Sequence, residues 1–97
     1  MGVASSQMRL AMLTSYKADL EFAVQMICQK RMTLAYQAQG AAENYPDLAA
    51  QYHVLDKKLE LEQQTLETQS KAVNTELDTV KKTIDNDMKS FQYQLTV

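Results

Sequence analysis

The side chains that most often carry chemistry are scarce in this 97-residue chain, which has one histidine, one cysteine and no tryptophan. His53 follows Tyr52 and has no second His or Cys at ligand spacing. A structural zinc site needs four such ligands, so a surface or interface histidine is the expected role. Cys28 lies at helical spacing among apolar residues, which fits a buried thiol, with an intermolecular disulfide as the alternative. Asp85-Asn86-Asp87 looks like part of a calcium loop, but it lacks the glycine and the terminal glutamate and sits within helical periodicity. No glycine-rich phosphate loop, nucleophile elbow or cysteine pair occurs. These residues lead us to expect a non-enzyme with neither cofactor nor metal.

Two further patterns bear on partners. Met1-Gly2-Val3-Ala4-Ser5-Ser6 fits the N-myristoylation motif, with Gly2 as acceptor, although a single acyl chain anchors only marginally. Tyr16, Tyr36, Tyr45, Tyr52 and Tyr93 are scattered rather than forming a stacking platform, so interface packing is expected of them rather than base recognition. The formal charge of −2 hides an asymmetry: residues 1–42 balance to +2 and residues 43–97 to −4. Neither half has the basic density that phosphate binding requires, so nucleic acid is not an expected partner.

The elements that must position these side chains are two long helices in one domain, residues 1–97. Leu, Ala, Met and Gln dominate, and the only turn-forming cluster is Gln39–Tyr52, which contains Gly40 and the single proline, Pro46. The composition predicts a first helix over about 4–42, a turn over about 40–47 and a second helix over about 47–93. Gly40 is expected to end the first helix in the left-handed conformation. Pro46 suits the first turn of the second helix, with Asn44 or Tyr45 near its N-cap and Asp47 favourable at the positive end of the dipole. A single kinked helix is the alternative to reversal.

In the first helix Leu10, Leu13, Lys17, Leu20, Val24, Ile27, Arg31, Leu34 and Ala38 recur at alternating gaps of three and four. That is a heptad seam interrupted by two cations. Met8, Met12, Phe22, Met26, Met32 and Tyr36 lie off it, and a helix apolar on several faces must meet several neighbours. In the second helix the apolar residues select Leu48, Tyr52, Leu55, Leu59, Glu62, Leu66, Gln69 and Val73 as the seam. It continues through Leu77, Val80, Ile84, Met88, Phe91 and Leu95, where wider gaps predict that the supercoil relaxes or reverses. The surplus apolar surface makes oligomerisation the expected outcome. Its interface is expected to draw on Leu10, Leu13, Leu20, Phe22, Val24, Met26, Ile27 and Leu34 of the first helix. From the second helix it would take Leu55, Leu59, Leu66, Val73, Leu77, Val80, Ile84 and Phe91.

Asn44, Pro46, Leu48 and Ala49, together with the C-terminal Thr83–Gln94 stretch TIDNDMKSFQYQ, resemble the needle-type filament subunits of type III secretion systems. That resemblance implies a short helix–loop–helix chain, exported through the tube it builds and assembled in many copies. A second resemblance, in architecture alone, is to secreted WXG-type hairpins; Asn44-Tyr45-Pro46 stands where their Trp-X-Gly turn would be. No basic start followed by an apolar run reads as a signal peptide, and no apolar run would span a bilayer. The expectation is an all-α antiparallel hairpin that self-assembles into an extracellular or cell-surface filament by leaderless export, with the secretion machinery as a partner. The alternative is a cytoplasmic coiled-coil adaptor or chaperone-like binding module.

Overall fold

Long runs of Ala, Leu, Met, Gln, Glu and Lys favour helix at almost every position, and the protein is all-α. In the computed structural model, which describes residues 2–96, α1 spans Val3–Ala41 and α2 spans Pro46–Thr96. The chain reverses between them, so the hairpin and not the kinked single helix is the fold. Seven threonines sit inside the helices and satisfy their hydroxyls by donating to the carbonyl four residues earlier, as Thr33 does to Gln29 and Thr79 to Thr75.

The reversal does not use glycine as expected. Gly40 lies within α1, and no described residue has a positive φ. The Ala42 amide donates to the Gln39 carbonyl at 3.4 Å, and the Tyr45 amide donates to the Ala41 carbonyl at 2.8 Å. These bonds satisfy carbonyls of the last turn of α1, which removes the need for a left-handed residue. Tyr45 is then the N-cap of α2: its carbonyl accepts from the Ala49 amide at 3.0 Å, and Pro46 fills the first helical position, where its missing N–H costs nothing.

The chain forms two compact units, one of residues 20–69 and the other of the described parts of 1–19 and 70–97. In the first, Leu20, Ile27, Ala38, Ala41 and Ala49 are buried, flanked by half-buried Val24, Leu34, Tyr52, Leu59 and Leu66. In the second, Val73, Leu77 and Val80 are the buried apolar residues, with Ser6 buried beside half-buried Leu10, Leu13 and Ile84. Along α1 every position of the predicted seam is buried or half-buried, Lys17 and Arg31 included.

Along α2 the seam differs from the expected one. Leu48, Leu55, Glu62 and Gln69 are exposed. Apart from half-buried Glu60 and Thr83, which adjoin it, the covered stripe consists of Ala49, Tyr52, Asp56, Leu59, Gln63, Leu66, Ser70, Val73, Leu77, Val80, Ile84 and Asp87. Their gaps alternate strictly between three and four, so the seam keeps a heptad period to Asp87 rather than widening after Val73. Asp56 and Gln63 hold seam positions because a cation reaches them from α1, and Ala49 because its small side chain suits the close approach of two helices leaving a short turn. Met88, Phe91 and Leu95 are exposed.

Candidate functional site

Within the unit of residues 20–69, α1 contributes one seam cation, Arg31, which sits where a Leu or Ile would otherwise pack. Its Nε donates to Asp56 Oδ1 at 2.8 Å and its Nη2 to Asp56 Oδ2 at 3.4 Å, while Nη1 donates to Gln63 Oε1 at 3.0 Å. Glu60 Oε2 lies 3.9 Å from Nη2 and 3.3 Å from Lys57 Nζ. Gln63 passes the network on by donating to Glu67 Oε1 at 2.9 Å. The planar guanidinium is thus held by two carboxylates and an amide of the facing helix, which a lysine could not reproduce. The hydrogen bond from Arg31 holds the Asp56 carboxyl below its ordinary value of 3.8, against an opposing push from desolvation; the Arg31 guanidinium, bonded to Asp56, is raised. The cluster ties α1 to α2 across the seam.

One flank of the same unit carries an open apolar groove of about 590 Å3. Met26, Gln29, Lys30, Thr33 and Leu34 form its α1 wall, and Leu55, Lys58 and Leu59 its α2 wall. Leu55, outside the seam, is the ridge between this groove and a shallower hollow lined by Ala50, Gln51 and Val54. A third hollow of about 310 Å3 has a floor of Ala35, Ala38 and Ala42 beside Tyr52 and His53. In the other unit, Arg9 Nη2 and Glu76 Oε2 pair at 3.5 Å with both side chains about half exposed, a contact of small energetic weight.

The residues singled out from the sequence divide by exposure. Leu20, Ile27, Val73, Leu77 and Val80 are buried within the chain, and Leu10, Leu13, Val24, Leu34, Leu59, Leu66 and Ile84 are half-buried. Phe22, Met26, Leu55 and Phe91 are exposed. Gly40 belongs to α1 and Pro46 opens α2. His53 is exposed and Cys28 half-buried. Gly2 accepts a hydrogen bond from the Ser6 amide at 3.1 Å; the removal of Met1 that acylation requires concerns a residue outside the described ones. Asp56, Gln63, Lys30 and Lys58 were not singled out from the sequence. The first two are recoverable by continuing the 3–4 alternation from Ala49, whereas no spacing marks the two lysines.

Among the described residues no helix is long and apolar enough to cross a membrane, and no three His, Cys, Asp or Glu side chains converge as a metal site. No protein-family model, curated protein or solved structure matches the chain.

Proposed function

We propose that this chain is a structural subunit that self-assembles, with further copies covering the apolar side chains that the hairpin leaves in solvent. One observation carries this reading. Met8, Met12, Phe22, Met32 and Tyr36 of α1 are between 64 and 81% exposed, on faces of the helix that α2 does not cover. Fully burying one such side chain is worth about 1.5–3 kcal/mol, while association costs at least about 4 kcal/mol in lost freedom. At the low end of that cost two or three such side chains offset it, and toward its upper end of roughly 15 kcal/mol about five to ten are needed.

A helical filament or tube is the assembly that fits a subunit apolar on several faces. Export and an extracellular or cell-surface location belong to the same reading, since they follow from the resemblance to needle subunits. The competing function is a coiled-coil adaptor or chaperone-like module acting as a dimer or small oligomer, and the groove confined to one flank favours it. Sedimentation velocity over a hundredfold concentration range, with electron microscopy of the same samples, separates them. Filaments that grow with concentration support the structural subunit. A concentration-independent dimer selects the adaptor, and a monomer throughout sinks self-assembly.

A further inference from the structure

The groove between Met26, Leu34, Leu55 and Leu59 is about two helical turns long, because Met26 and Leu34, which bound it on α1, are eight residues or roughly 12 Å apart. A helix laid in such a groove offers anchors at i, i+3 and i+7. α2 itself carries that pattern in Met88, Phe91 and Leu95, which are 44, 56 and 70% exposed. We infer that the Met88–Phe91–Leu95 ridge of one copy docks in the Lys30- and Lys58-walled groove of a second copy, a head-to-tail contact. This inference rests on the self-assembly reading and names the surfaces it uses.

Charge decides between this occupant and the others within the chain. Lys30 and Lys58 face the groove from its two walls. Groove-to-groove packing would bring the four lysines of two copies together, and like charges across an interface are costly. The Met8–Met12–Tyr16 stripe of α1 is also exposed, but the charged residue next to it is Arg9, whose pair with Glu76 leaves no net negative charge to meet the lysines. Next to the Met88–Phe91–Leu95 ridge stands exposed Asp85, three residues before Met88, while Lys89 lies two residues before Phe91 and so on the opposite side of the helix. The acidic shoulder meets the basic walls. Because groove and ridge are different surfaces, each bound copy still offers a free groove or a free ridge, and the contact propagates unless rotation closes it.

The test uses two full-length variants, Leu55→Asp in the groove and Phe91→Asp on the ridge, each checked for helical circular dichroism. Should either aspartate unfold the chain, Leu55→Ser and Phe91→Ser replace them, both positions being exposed. Each variant alone is expected to need at least tenfold more protein to associate than the wild type. An equimolar mixture is expected to regain association as a 1:1 pair that grows no further, because each variant supplies the surface the other lacks. A mixture that stays monomeric overturns the inference, as do single variants that assemble like the wild type; both leave self-assembly standing. A wild-type chain that is monomeric at every concentration overturns both.

Discussion

Arg31 of α1 grips Asp56 of α2 through both carboxylate oxygens, at 2.8 and 3.4 Å, across the seam of the hairpin. The pair occupies layers that a heptad rule assigns to apolar residues, and each side chain is 29% exposed. A charged layer of this kind costs stability relative to a packed apolar one but penalises every shifted register, since a slip leaves the guanidinium without its acceptors. Removing one partner should therefore lower the thermal midpoint more than removing both, because the survivor is left half-buried without its main partner. Circular dichroism melts of Arg31→Met, Asp56→Leu and the double variant measure this; strictly additive losses would sink it.

The pH dependence follows from the same bond. Arg31 holds the folded-state pKa of Asp56 below 3.8, so the carboxylate contributes stability above the unfolded pKa and loses it as the pH falls through the lower folded value. Urea midpoints of the wild type and Asp56→Asn should differ by a constant amount above about pH 5 and converge on acidification below about pH 4. A gap that does not change between neutral pH and pH 3 would show that the bond does not shift Asp56.

Gly40→Ala is expected to stabilise the protein by about 0.5–1 kcal/mol. The residue is helical without a positive φ, and a Cβ built on it meets nothing within 4 Å. A drop in the thermal midpoint would restore the left-handed cap that its place in the sequence suggests.

Core truncations should separate seam from flank. Ile27→Ala and Leu77→Ala, at side chains 5% exposed in the two units, are each expected to cost about 2–5 kcal/mol. Leu61→Ala, on the exposed back of α2, should stay within about 0.5 kcal/mol. Chemical denaturation measures all three, and a Leu61→Ala loss as large as the other two would contradict the seam described above.

Much of the fold is legible without coordinates. A chain with one Pro, two Gly and a single turn cluster has only one place to reverse, and the 3–4 alternation of α1 marks its covered stripe because those side chains are mostly large and apolar. The exposed methionines and aromatics off that stripe can be read in the same way, since periodicity alone places them on other faces.

The register of α2 is where reading by residue type fails. Leu48 and Leu55 are more apolar than Ala49 and Asp56, so hydrophobic spacing chooses the wrong residues by one position and moves the seam to the flank. Only the tertiary structure brings Arg31 level with Asp56 and Gln63, whose acceptors its guanidinium needs once it is half-buried. The same one-residue difference turns Leu55 outward beside Met26 and creates the groove. Sequence determined that this chain is two helices with apolar surface to spare; the pairing of the helices decided which of that surface is core and which is left for another molecule, because burial depends on what stands opposite and not on the side chain alone.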